Sequence, residues 1–219
     1  MNKLLPSLLS LVITSVMAVS AQAQEVKGDA KAAEAKIAMC IGCHGIPGYQ
    51  SSFPEVYRVP KISGQNAKYI AAALTAYKKG ERKHQTMRGI ADTLNDQDIA
   101  DLAAYYEQHG KTEAVTAAPK AANEKVTALL QKGACVSCHG ANFSQPLDPS
   151  YPKIAGQHKD YLYVALKSYK VENQSTWGRS NGIMGGIAKQ YSNAELKALA
   201  EYIADQQGEL KTIPQSKFR

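Results

Sequence analysis

The chain has 219 residues, 26 Lys and Arg against 19 Asp and Glu, and a formal net charge of +7. A basic balance invites a nucleic-acid reading, but no aromatic-basic motif accompanies it, so that class is set aside. The excess is uneven, with a net +1 over residues 24–113 and +5 over residues 114–219, which predicts a molecular dipole. Such a field steers a protein toward an acidic docking patch or an anionic membrane surface.

Residues 1–23 have the form of a secretory signal. Lys3 supplies the positive start, residues 4–19 are apolar apart from Pro6 and a few Ser and Thr, and Ala21-Gln22-Ala23 offers a small-x-small cleavage site. The apolar run is short for a membrane span of about 20 residues, and no other stretch comes closer. The expectation is export to the periplasm after cleavage near Ala23.

The next segment, residues 29–40, is Ala-rich and reads as a helix running into Cys40-Ile41-Gly42-Cys43-His44. Cys-x-x-Cys-His is the attachment signature of c-type haem. Its two thiols add across the haem vinyl groups, and the adjacent His falls under the iron as proximal ligand. The pentapeptide recurs as Cys135-Val136-Ser137-Cys138-His139, and the two copies use all four cysteines. A thioredoxin-like redox pair does not explain the following His, twice. A zinc site takes Cys and His but leaves the methionines unexplained. Two covalent haem c groups, one per motif, are the expectation. Attachment outside the cytoplasm agrees with the exported start.

After the first motif, Pro60-Lys61-Ile62-Ser63-Gly64-Gln65 leads into a helical pattern over residues 65–79 that puts Tyr69, Leu74 and Tyr77 on one face. Met87 follows in a Gly-containing stretch read as a loop. Asn95 with Asp98 then resembles a capping box, behind which Ile99, Leu102 and Tyr105–Tyr106 form an apolar face. Residues 111–122, after Gly110, read as a linker.

The second half repeats this order. A helical stretch over residues 124–135 enters the second motif, and Pro152-Lys153-Ile154-Ala155-Gly156-Gln157 matches the earlier hexapeptide. Tyr161, Leu166, Tyr169, Met184 and Tyr202 match Tyr69, Leu74, Tyr77, Met87 and Tyr105 at offsets of 92 to 97 residues. Ser192-Asn193-Ala194-Glu195 is a capping box, followed by an apolar face of Leu196, Leu199, Tyr202 and Ile203. A long repeat whose copies each carry a cofactor motif means tandem domains, 24–110 and 123–219. No stretch alternates with period two for long, so the fold class is all-α. A domain of about 90 residues buries a limited core, and a covalent haem supplies much of the missing apolar volume.

The ligand opposite each proximal His decides the function, because a thioether fills the site and raises the potential whereas an open site invites catalysis. Of five methionines, Met1 and Met17 leave with the signal, and Met39 adjoins Cys40 on the attachment side. Met87 and Met184 remain, one per half. They are the expected axial partners of His44 and His139. The rivals are His84, whose counterpart is Asn181, His158, whose counterpart is Asn66, and His109 at a helix end; all three read as surface histidines.

The two haem motifs, the repeated Pro-Lys-Ile-x-Gly-Gln and the late Met in each half resemble the dihaem cytochrome c4 family over nearly the whole exported chain. The resemblance implies two class I cytochrome c domains related by a pseudo-twofold axis, His/Met ligation, and Gln65 and Gln157 near the haem and the interface. It also implies that a proline carbonyl accepts the proximal His Nδ1–H. Pro152 serves in the second half. The stretch after His44 is three residues longer, so Pro47 and Pro54 stand beside Pro60 in the first. The implied function is a monomeric electron carrier, not an enzyme, between membrane-bound respiratory complexes: a quinol-oxidising donor and a haem–copper oxidase acceptor, with peripheral membrane association. The alternative is a dihaem enzyme or enzyme subunit, of peroxidase or sulfur-compound dehydrogenase type, with one open or differently ligated haem. His84 beside Met87 is the feature that favours it.

Overall fold

A computed structural model describes residues 26–215; the signal segment lies outside them. The described residues are mainly helical, as expected, with four short extended segments. In the first half, a 3₁₀ turn at Ala32–Ala35 leads into α1 (Ala38–His44). A small ribbon of β1 (Gln50–Ser51) and β2 (Tyr57–Arg58) follows. Then come α2 (Ala67–Lys78), β3 (Arg82–His84), α3 (Gln85–Asp92) and α4 (Asp96–Gln108). The second half holds α5 (Glu124–Lys132), α6 (Val136–His139), α7 (Lys159–Ser168), β4 (Trp177–Arg179), α8 (Gly182–Ala188) and α9 (Asn193–Ala204).

Both predicted capping boxes are present, Asn95 with Asp98 and Ser192 with Glu195. Each satisfies two of the N–H groups that a helix start leaves unpaired. Behind them, Ile99, Leu102 and Tyr106 of α4 pack with Ile70 of α2, while Leu196 and Leu199 of α9 pack with Leu129 and Tyr191. Ile203 joins Leu162, Ala155 and Phe143 in the second half's other cluster. Burying these side chains contributes about 1.5–3 kcal/mol each before entropy is counted. The stretch read as a helix over residues 29–40 is instead the 3₁₀ turn Ala32–Ala35 followed by α1, which starts at Ala38, and a second expectation needs correcting. The helix read over residues 124–135 breaks before the second Cys motif, because Ala134 takes the left-handed φ of +46° and Gly133 passes under the Tyr191 hydroxyl, where a Cβ would lie 2.5 Å from it.

The halves are joined by reciprocal contacts. The buried Gln65 side chain donates to the Lys153 carbonyl at 2.9 Å and accepts the Lys153 N–H at 2.9 Å. Gln157 repeats this on Lys61, at 2.9 Å to the carbonyl and 3.0 Å from the N–H. Gly64 and Gly156, at φ +83° and +68°, make the turn that aims each Gln across; a Cβ on Gly64 would meet the Glu209 carbonyl at 2.9 Å. Arg58 grips Asp160 with a fork, Nε to Oδ2 at 2.9 Å and Nη2 to Oδ1 at 3.0 Å. β3 and β4 pair antiparallel between the halves, Arg82 opposite Arg179.

The segment read as a linker is strapped to the second half. Val115 donates to the Glu209 carboxylate, Lys120 N–H donates to Gln206, and the Val115 carbonyl accepts from Asn142 and Gln145. In the other direction, Lys211 N–H donates to the Ser63 carbonyl and Gln215 to the Tyr105 hydroxyl.

Candidate functional site

One cavity of about 600 Å³ runs between the halves. Its lining includes Cys40, Cys43, His44 and Met87 from the first half and His139 and Met184 from the second. Cys135 and Cys138 are not among the lining residues; Cys135 packs against the Phe143 cluster. The repeated tyrosines face the cavity as well, Tyr69 and Tyr77 from α2, Tyr161 from α7 and Tyr169 just past its end. Ile70 of α2 both joins the core and lines the cavity, so the cavity wall is continuous with the first half's core.

The two histidines are oriented alike. His44 Nδ1 donates to the Pro60 carbonyl at 2.8 Å, and His139 Nδ1 to the Pro152 carbonyl at 3.1 Å. A carbonyl only accepts, so the proton sits on Nδ1 and the Nε2 lone pair is free for a metal. Pro60, rather than Pro47 or Pro54, holds the first histidine. Burial pushes both imidazoles below their ordinary range, which the proline bonds partly offset, so both are held neutral. The repeated hexapeptide thus does three things at once: its Pro orients the His, its Lys backbone receives the opposite half's Gln, and its own Gln reaches across.

The methionines do not sit in loops as expected. Met87 lies in the first turns of α3 and Met184 in those of α8. The reason is capping: His84 Nδ1 accepts the Met87 N–H at 3.3 Å, and Asn181 Oδ1 accepts the Met184 N–H at 2.9 Å. His84 is therefore the functional counterpart of Asn181, not an unconnected surface histidine. Burial, then Arg82 and Arg179, push its pKa down and keep Nδ1 able to accept. The other two histidines are also half-buried. His109 Nδ1 is 3.0 Å from the Ser63 hydroxyl and its ring stacks on Tyr105. His158 opens α7 at the interface, its N–H donating to Gln157.

Among the described residues no group of three or more His, Cys, Asp or Glu is placed to hold a bare metal ion. The residues do fit haem. Two thiols, a histidine with Nε2 free and a thioether line the cavity in the first half. Burial pushes the Cys40 thiol up to about 11 and raises Cys135, so both are neutral thiols in this structure. Arg82 Nε is buried without a hydrogen-bond partner at the cavity wall, as a site for a carboxylate-bearing group requires.

The Cytochrome c family model matches residues 30–109 and again 124–207. Cytochrome c4 of Stutzerimonas stutzeri is 35% identical over 217 residues, covering 93% of this chain and 98% of that protein. A thiosulfate dehydrogenase electron acceptor of Thiomonas intermedia is 29% identical, covering 80% and 82%. Among solved structures, reduced recombinant cytochrome c4 from Pseudomonas stutzeri matches with a TM-score of 0.60 at 28% identity, covering 82% of this chain and all of that one.

Proposed function

The chain belongs to the cytochrome c4 family of dihaem electron carriers, and from that premise we propose a periplasmic carrier with two His/Met-ligated haems. Cys40 and Cys43 hold the first haem, and Cys135 and Cys138 the second. His44 and Met87 would hold the first iron, His139 and Met184 the second. Bound haem supplies one-electron Fe(III)/Fe(II) chemistry. The chain's residues supply the rest. Pro60 and Pro152 fix each imidazole with Nδ1 committed and Nε2 free to bind iron; His84 and Asn181 anchor the helix turn that carries each methionine. The α2 and α7 faces exclude water, and the Gln65 and Gln157 contacts keep the sites at a fixed separation. No substrate bond is made or broken.

The observation that carries this reading is the duplicated geometry of His44–Pro60 and His139–Pro152, opening on one cavity that Met87 and Met184 also line. We place the carrier, as a monomer, between a quinol-oxidising complex and a haem–copper oxidase at the membrane. The unequal charge of the halves supports docking by steering, and no helix among the described residues is long and apolar enough to cross a membrane. Met87→His should lower the potential of the first haem alone, and Met184→His that of the second. An unmoved titration curve would remove the methionines from the ligand set.

A second reading, an electron acceptor or subunit for sulfur-compound oxidation, draws on the relative named as a thiosulfate dehydrogenase electron acceptor. Catalysis on the haem itself needs a displaceable ligand and a nearby acid–base group. His84, which favoured that version, is committed to capping α3. Reduction of the purified protein by a thiosulfate dehydrogenase, compared with reduction by a quinol-oxidising complex, separates the two donors.

A further inference from the structure

Two half-buried arginines meet where the halves join, with the Arg82 Nε fully buried. Arg82 and Arg179 are repeat counterparts and also partners in the β3–β4 register. A residue paired with its own counterpart lies on the pseudo-twofold axis. Arg82 donates to the Tyr69 hydroxyl at 3.2 Å and across the interface to the Tyr161 hydroxyl at 2.8 Å. Arg179 donates to Tyr161 at 3.1 Å and to Tyr169 at 3.4 Å. Arg82 also lies over the Tyr77 ring, 4.7 Å from its centroid.

What these cations lack is an anion. Among the described residues neither forms an ion pair, and Arg82 Nε has no partner at all. Their neighbours are phenols, and burial pushes Tyr69 and Tyr77 further from ionising. Tyr161 is the exception: burial raises it, but the two guanidiniums outweigh that and bring it to about 8. A phenol still mostly protonated at pH 7 does not neutralise two cations. Buried charge without a counter-charge costs several kcal/mol per ion, so the fold provides for anions from outside the chain. Both arginines line the same cavity as His44, Met87, His139 and Met184. Haem carries two propionate carboxylates, hence four for the pair.

We propose that Arg82 and Arg179 form one shared counter-charge for the carboxylates of both haems, so that either arginine sets the reduction potential of both irons. The inference rests on the dihaem reading above. A fixed cation near a haem favours Fe(II), the less positive state, over Fe(III). Its removal lowers the potential. The arrangement is not fully symmetric, because Arg82 crosses to Tyr161 whereas Tyr69 receives Arg82 alone. Arg82 is the bridging member.

The test is a potentiometric titration of the purified holoprotein, resolving both haems, for Arg82→Gln and Arg82→Lys. Arg82→Gln should lower both potentials, by a shift of about tenfold in the Fe(II):Fe(III) ratio at fixed potential, or about 59 mV for one electron. Arg82→Lys keeps the charge and should move both less. Lys79→Gln removes an exposed charge outside the cavity wall, screened by water, and should move neither appreciably. Arg179→Gln repeats the measurement from the other half if Arg82→Gln does not fold. Movement of one haem alone, or of neither, overturns the proposal. Haem count and the methionine–iron absorption of the unmutated protein are read first; their failure would refute the dihaem reading instead.

Discussion

Gln65→Ala should loosen the join between the halves. The Gln65 amide makes two bonds to Lys153 across the interface, and its oxygen also accepts the Asn66 N–H at 3.0 Å. The side chain is 4% exposed, so truncation leaves the Lys153 N–H and carbonyl facing a void. Each lost bond is worth about 1 kcal/mol net, and a buried group left unpaired about 1–3 kcal/mol. Partial rescue by water brings the expected loss to about 2–4 kcal/mol. Guanidinium denaturation followed by far-UV dichroism measures it. Gln157→Ala should cost a similar amount, because it severs the matching bonds to Lys61 and His158. As a control, Gln131→Ala on the exposed face of α5 should stay within about 0.5 kcal/mol. A loss below that figure for Gln65→Ala would refute the claim that the repeated Gln is a structural clamp.

Two other residues give independent tests. His84→Ala removes the α3 cap and should cost about 1 kcal/mol in thermal or chemical unfolding, whereas His84→Asn copies Asn181 and should cost little; equal losses for both would disprove the capping role. At the interface, burial, then Arg58 and Lys61, push His158 down to about 4. Between that value and about 6.5 the unfolded chain binds the extra proton, so stability falls as pH drops through this window. His158→Asn, copying Asn66, should flatten the pH dependence of the unfolding midpoint; an unchanged slope would rule His158 out as a contributor.

Local chemistry was the legible part of this chain. The Cys-x-x-Cys-His pentapeptides, the Ser192–Glu195 box and the apolar spacing of Ile99, Leu102 and Tyr106 each act within a few turns, so short windows encode them. The break at Gly133–Ala134 was missed because its cause, the Tyr191 hydroxyl, comes from more than 50 residues away. The cross-domain reach of Gln65 and Gln157 leaves no local trace; only the family resemblance implied a place near the haem and the interface. Arg82 and Arg179 carry no motif that marks them in the sequence, since burial of a cation is settled by what surrounds it in space. His84 was the recoverable miss. Its alignment with Asn181, a favoured N-cap type, is visible in the repeat, yet a lone histidine without a His counterpart reads as a surface residue.

The central claim is that each half holds one haem between a histidine and a methionine. The absorption spectrum of the purified oxidised protein, with haem counted per chain, tests it most directly through the weak red band from methionine sulfur to ferric iron. The account predicts two haems per chain and a band of full strength for both, lost by half in Met87→His and by half in Met184→His. One haem per chain, a half-strength band in the unmutated protein or a high-spin ferric signal would contradict it.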